Sequence, residues 1–296
     1  MTDAFPKSHP ASLAPRIAAA AALIAVGLAL SAWIGIQAES LLGVAKAVRY
    51  GLQALVLSAL VVPGVWWLRT RVDRRPMRGL GLSTPRHALQ AFGLGMAIVV
   101  TPMLVTSVMA AALGWATVTI DLSPASLSRL LVAAGTVFFF EALPEELVFR
   151  GYIYRTLNAV TPKWTAGALT TALFVATPVC AGVIAWNLLG IPFSMGGADR
   201  VTAGYLSMIL VFGLFTQYLR ILTGVLWTSM GFHFAFILFN RVVGPRENHL
   251  LRFTDVTNGG PLQLTTLLSV AVILAALLAY PWLAKKPIGW ALRDPE

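Results

Sequence analysis

Three glutamates and one arginine follow an apolar segment near the middle of the sequence. The stretch LLVAAGTVFFF runs directly into a short segment that contains Glu141, Glu145, Glu146 and Arg150. The whole chain has only 12 acidic residues, so this density of carboxylates stands out from the background. Ionisable groups at membrane depth cost about 3 kcal/mol each and persist mainly where they pair or perform chemistry. We therefore take this cluster as the main candidate functional site.

The spacing of the cluster indicates which groups meet. Residues four apart on a helix share a face, so Glu146 and Arg150 are expected to form an ion pair. Glu145 lies about 100° around the helix from Glu146 and shares a face with Glu141 instead. A carboxylate in such a crowded acidic pair is a candidate general base, because it can take up and release a proton. The cluster can also be an interfacial anchor whose long side chains reach water.

A histidine interrupts a later apolar segment. The stretch LTGVLWTSMGFHFAFILFN surrounds His233 with phenylalanines. A lone histidine on an apolar helix is often only structural, but inside a membrane little water is available to satisfy it. Asn240 lies seven residues further on, near the same face but about 10 Å along the axis. His233 is therefore a second candidate site residue, and Asn240 a weaker one.

The composition is that of a membrane protein. Hydrophobic residues make up 57% of the chain and charged residues 11%, and the mean hydropathy is +0.77. Soluble domains carry roughly 25% charged residues. The apolar residues form blocks long enough to cross a bilayer, which predicts an all-α polytopic membrane protein of about eight transmembrane helices. These predicted spans are 17–36, 48–68, 88–113, 127–148, 164–189, 203–219, 222–240 and 263–284.

The cations lie between the apolar blocks. If the arginine-rich loop 69–87 is cytoplasmic, 15 of the 22 lysines and arginines fall on the inner side. By the positive-inside rule both termini are then cytoplasmic, in a bacterial-type inner (plasma) membrane. The loop itself is expected to be a solvated anchor. The net charge of +10 does not indicate nucleic-acid binding, because the cations do not cluster with interleaved aromatic residues on one face.

Two motifs resemble a known family. PEELVFRG matches the glutamate–glutamate–x–x–x–arginine motif of the CPBP intramembrane proteases, the CAAX-protease and bacteriocin-processing family that includes the type II CAAX endopeptidase. The segment FGLFTQYLRILTGVLWTSMGFHFAF resembles the later family helix, in which a TG-x-LW step precedes the motif histidine. The resemblance covers roughly residues 127–245.

The resemblance implies a fold and a set of roles. It implies an eight-span helical core with a cavity that opens toward the cytoplasm. Glu145 would activate water, Glu146 and Arg150 would organise the site, and His233 would bind a metal or support the oxyanion. Family members cut peptides or prenylated tails, or act in bacteriocin immunity and processing. The implied partners are the lipid bilayer and a membrane-embedded or membrane-anchored peptide substrate.

The sequence departs from the family pattern at two positions. The second motif has a histidine four residues after its phenylalanine, but Phe174 is followed at that spacing by Pro178. The third motif has asparagine or a similar polar group four residues after its histidine, where this chain has Ile237. Catalytic zinc usually has three protein ligands and a water. A divalent metal such as zinc would have His233 and Glu145 as its ligands here, and would need at least one further protein ligand.

Other polar side chains could substitute for the missing motif residues. Thr177 and Cys180 lie near the vacated position on the fifth span, and Glu141 and Asn240 complete the set of secondary candidates. A metal-free mechanism with a glutamate base tolerates the two departures better than a zinc mechanism does.

Three functions remain open from the sequence. The first is an intramembrane endopeptidase with glutamate-activated water. The second is a catalytically inactive relative that acts as a membrane binding or immunity protein, and the third is a proton-coupled carrier. We divide the chain into N-terminal transmembrane helices (1–125), a catalytic core (126–245), and an outer loop with the last helix and tail (246–296).

Overall fold

Eight long helices make up most of the protein. The computed structural model describes residues 13–193, 202–244, 249–255, 260–283, 285 and 287–293. The helices in these ranges are α1 (Leu13–Leu42), α2 (Lys46–Val72), α3 (Pro85–Ala112), α4 (Pro124–Asn158), α5 (Lys163–Leu189), α6 (Ala203–Thr223), α7 (Leu226–Val242) and α8 (Gly260–Leu283).

The helices coincide with the eight apolar blocks of the sequence. Helices α1 to α6 are each long and apolar enough to cross a membrane, the third together with the short 3₁₀ turn Met77–Leu80 before it. Helix α7 has 17 residues, and α8 contains the shorter apolar stretch Leu267–Trp282. The prediction of an all-α polytopic membrane protein is confirmed.

A small sheet replaces part of the predicted outer loop. Strand β1 (Ala116–Ile120) pairs antiparallel with β3 (Leu251–Asp255), and β2 (Val243–Gly244) pairs parallel with β3. The sequence predicted an outer loop before the last helix, where β3 lies, and made no prediction for β1; ATVTI and LRFTD contain the β-branched and aromatic residues that favour strands. The predicted boundary at 245/246 lies outside the described residues.

Helix α4 changes its winding around the glutamates. Two π-helical segments, Val137–Ala142 and Leu147–Ile153, flank the short α-helical piece Leu143–Glu146. Pro144 has no amide hydrogen, so the regular hydrogen-bond ladder is broken at this point. Such π-helical insertions are frequent at functional sites, and the extra residue per turn changes which side chains share a face.

Helices α3 and α7 touch through their backbones. A Cβ atom on Gly95 would lie 2.1 Å from the carbonyl oxygen of Thr228, and one on Gly231 would lie 2.1 Å from the carbonyl oxygen of Phe92. Only glycine leaves enough room for this approach. The contact therefore fixes the position of α7 and of His233, which lies two residues after Gly231.

The arginine-rich loop differs from the solvated anchor that we expected. Arg69 is only 3% exposed, and its Nη1 lies 3.7 Å from Asp73. The same carboxylate pairs with Arg16 of α1 at 3.2 Å and accepts a hydrogen bond from the hydroxyl of Tyr152 in α4. This polar cluster ties α1, α2 and α4 together, because a buried carboxylate requires such partners.

Candidate functional site

The predicted ion pair forms the centre of the site. Nη1 of Arg150 lies 3.2 Å from Oε1 of Glu146, and both side chains are completely buried. Nδ1 of His233, from α7, lies 3.0 Å from the same carboxylate oxygen. A protonated Nδ1 donates to that oxygen, so the carboxylate orients the ring, and the other ring nitrogen, Nε2, lies 3.9 Å from Oε2 of Glu145. The structure thus joins two motifs that lie 87 residues apart.

Helix α6 holds the arginine in place. Nη2 of Arg150 donates to Oγ1 of Thr216 at 2.5 Å and to the carbonyl oxygen of Gly213 at 3.2 Å. The guanidinium also lies 4.2 Å from the centre of the Phe174 ring, a favourable cation–π distance. From the same helix, Nε of Arg220 donates to the main-chain oxygen of Arg150 at 3.1 Å. These contacts fix a buried cation that would otherwise be costly.

The histidine is packed against an aromatic ring. The Phe212 ring lies edge-on to the His233 ring, with the two ring centres 4.7 Å apart. Only 1% of the histidine is exposed. Together with the glycine contact to α3, this packing limits the imidazole to one orientation, which a catalytic group requires.

Glu145 lines a small cavity between the helices. Its Oε2 lies 3.9 Å from Nε2 of His233. The adjoining cavity has a volume of about 30 Å³, larger than the roughly 10–15 Å³ that one water needs. Its lining comes from four helices and consists of Leu28, Glu145, Phe149, Phe174, Thr177, Pro178, Tyr205 and Ile209. A water in this cavity would be close to the Glu145 carboxylate.

Two of the residues that line the cavity, Thr177 and Pro178, come from the segment that departs from the second family motif. Pro178, at the position where the resemblance implies a histidine, lines the cavity. Thr177 lines it too, but its hydroxyl donates to the carbonyl oxygen of Leu173 at 2.8 Å. The hydroxyl proton of Thr177 is therefore used within the helix.

The other secondary candidates lie elsewhere. Glu141 forms an ion pair with Arg241 of α7 and does not line the cavity beside Glu145. Cys180 is exposed on α5 and does not line the cavity. Asn240 is also exposed, and its amide donates to the carbonyl oxygen of Phe236 at 2.7 Å.

Sequence reasoning missed the residues that α6 contributes. Tyr205 lines the cavity beside Glu145, and Thr216 and Arg220 hold Arg150. Their signal was the presence of Thr216, Gln217 and Arg220 inside an otherwise apolar span, where polar residues usually face the bundle interior.

The donor atoms do not suit zinc. Glu146 is engaged by Arg150 and by Nδ1 of His233, which leaves Glu145 and Nε2 of His233. Two protein ligands are fewer than the three of a catalytic zinc site. Across the described part of the chain, no three histidine, cysteine, aspartate or glutamate side chains are grouped so that they could hold a metal ion. The side chains near Glu145 therefore do not fit a catalytic zinc ion.

Comparison with known proteins gives one match. No curated protein and no solved structure matches the chain significantly. Residues 127–239, which include the glutamate pair, Arg150 and His233, match the family model described as type II CAAX prenyl endopeptidase Rce1-like, and this match confirms the resemblance that the two sequence motifs predicted.

Proposed function

We propose that this protein is an intramembrane endopeptidase that hydrolyses peptide bonds in membrane-embedded or membrane-anchored peptides and protein tails. The observation that carries the proposal is the 3.9 Å distance between Glu145 and His233, together with a cavity beside Glu145 that is large enough for water. The match of residues 127–239 to a family of membrane endopeptidases supports the same chemistry.

Glu145 acts as the base. One water oxygen with two hydrogen bonds of about 2.8 Å can reach two atoms that are 3.9 Å apart, so a single water can contact both Glu145 and Nε2 of His233. The carboxylate takes a proton from this water while the oxygen bonds to the peptide carbonyl carbon. When the tetrahedral intermediate collapses, the C–N bond breaks and Glu145 delivers its proton to the leaving nitrogen. One water is consumed, and one carboxylic acid and one amine are formed.

Glu146 and Arg150 are positioning residues in this mechanism. Glu146 fixes the tautomer and orientation of His233 through Nδ1, and Arg150 supplies the counter-charge that keeps the buried carboxylate ionised. Neither has to touch the substrate.

Tyr205 is our candidate for the donor that stabilises the oxyanion. Its phenol lines the same cavity as Glu145, in a wall where the family histidine is replaced by Pro178. A donor aimed at the developing negative charge typically contributes about 10²-fold or more to the rate. In this proposal the hydroxyl takes over part of the role of the absent imidazole.

The test is cleavage of a panel of membrane-anchored, fluorescently labelled peptides by the protein in proteoliposomes. We expect Glu145→Gln to lose at least about 10²-fold in rate, because the amide cannot accept the proton. The matched control is Glu39→Gln, in a glutamate that pairs with Arg49 far along the chain from the motif. Equal rates for wild type and Glu145→Gln would remove Glu145 from the mechanism.

A binding protein without protease activity is the second candidate. It is favoured by Pro178 in the cavity wall and by Ile237 at the other substituted motif position. In that case wild type would bind the same peptides and release no product, and Glu145→Gln would bind equally well.

We also propose the membrane setting and the division of the chain. The excess of cations on one side supports cytoplasmic termini in a bacterial-type inner membrane. The match supports a core within 126–245, flanked by the helices of 1–125 and by 246–296.

A further inference from the structure

A second, larger cavity lies on another face of α6. Its volume is about 390 Å³, within the range of roughly 300–1,000 Å³ typical of small-molecule sites. Helices α5, α6 and α8 form its walls, which are almost entirely apolar. Val211 and Leu214 contribute from α6, and Leu274 and Leu278 from α8. It shares no lining residue with the cavity beside Glu145.

Two polar side chains interrupt this apolar wall. Thr171 and Gln217 line the cavity and are 2% and 3% exposed. Within the described structure, Oγ1 of Thr171 and both side-chain polar atoms of Gln217 have no hydrogen-bond partner. Buried polar groups are normally satisfied, and each exception calls for an explanation such as a ligand or a water.

The depth of these groups indicates how a ligand would lie. Trp164 and Trp290 line one end of the cavity, and the amide of Trp164 donates to the carbonyl oxygen of Trp290 at 3.4 Å. Tryptophan is enriched at the membrane–water interface. Thr171 lies seven residues beyond Trp164 on α5, about 10 Å further along the helix axis. The polar groups are thus just below the interface, and the apolar wall continues toward the bilayer core.

We propose that this groove binds a single-chain amphiphile that carries a hydroxyl or amide group, such as a long-chain alcohol or a fatty amide. The Gln217 amide both donates and accepts hydrogen bonds, so a ligand group that satisfies it must also donate one and accept one. A hydroxyl or an amide does so, whereas an ester only accepts. The alkyl chain would lie against the leucines of α8. A transmembrane helix fits less well, because its backbone groups are bonded internally.

This inference does not depend on peptide hydrolysis. The binding experiment uses the full chain in nanodiscs of diester phosphatidylcholine, which supplies neither free hydroxyl nor amide groups. The probe is hexadecanamide with a diazirine on its chain, and cross-linked residues are mapped by mass spectrometry. Competition with unlabelled hexadecanamide, hexadecanol and methyl hexadecanoate gives relative affinities. We expect cross-links on α5, α6 and α8, and about tenfold weaker competition by the ester.

Two variants test the polar contacts separately. Gln217→Leu and the isosteric Thr171→Val should each weaken hexadecanamide binding, the first roughly tenfold. Both variants should fold, because each replaces an unsatisfied polar group in an apolar wall. Ser207→Ala, on an exposed part of α6, is the control and should bind like wild type.

Three results would overturn the proposal. They are cross-links outside the groove, equal competition by the amide and the ester, and unchanged affinity in Gln217→Leu. Loss of peptide cleavage in an activity assay leaves the binding result unaffected, so the two proposals fail independently.

Discussion

Removal of the buried cation should destabilise the protein strongly. In Arg150→Met the carboxylate of Glu146 loses an ion pair at 3.2 Å while it stays completely buried. The same change removes hydrogen bonds to Thr216 and Gly213 and the contact with the Phe174 ring. Breaking one partner of a buried pair typically costs about 3–5 kcal/mol, because the remaining charge is uncompensated. We expect a cost in that range.

The double variant shows how much of this cost comes from the charge. Glu146→Gln combined with Arg150→Met removes both charges, and the amide oxygen can still accept from Nδ1 of His233. The double variant should therefore be more stable than Arg150→Met alone, with a coupling free energy of about 2–3 kcal/mol.

The measurement is reversible unfolding in detergent micelles, followed by tryptophan fluorescence. Arg71→Met is the matched control, since this arginine is exposed in the same chain and should change the free energy of unfolding by no more than about 0.5 kcal/mol. Two results contradict the reasoning: a cost below about 1 kcal/mol for Arg150→Met, or a double variant whose cost equals the sum of the single costs.

Two further predictions concern helix packing and pH. Gly231→Ala should prevent the approach of α7 to α3, because the new methyl group would lie 2.1 Å from the carbonyl oxygen of Phe92. Gly93→Ala, with nothing within 4 Å, should leave thermal stability within about 0.5 kcal/mol of wild type or slightly raise it. A wild-type melting temperature for Gly231→Ala would contradict this account of the contact. Outside the membrane spans, the Ser126 hydroxyl and nearby donors hold the pKa of Asp121 at about 2, below its ordinary 3.8. The hydrogen bonds to ionised Asp121 therefore stabilise the folded state above pH 3.8, and this stabilisation is lost as the pH falls toward 2. Asp121→Asn should remove that part of the pH dependence of unfolding, and an identical pH profile for variant and wild type would refute the link.

The parts of the site that could be predicted from the sequence are those that depend on residues close together in the chain. Glu146 and Arg150 lie one turn apart on one helix, so their pairing depends on local geometry that the π-helical turns left intact. The eight helices followed from the lengths of the apolar blocks. The meeting of His233 with the glutamates was indicated only by the family resemblance, because 87 residues separate them.

Long-range contacts and altered winding account for the differences. Glu141 pairs with Arg241, 100 residues away, and no local rule indicates such a partner. The π-helical segments were not visible in the residue pattern. Burial of Arg69 depends on Asp73, one turn further along, and Asp73 is in turn held by Tyr152 of α4. Charge alone had suggested a solvated loop.

The backbone contact at Gly95 and Gly231 has a mechanical consequence. A seam without intervening side chains has no rotamers to adjust, so it cannot widen by small steps. A guest therefore cannot pass between α3 and α7 unless the two helices separate along this whole contact. The α3–α7 contact is thus a rigid side of the molecule, and a route to Glu145 has to lie elsewhere.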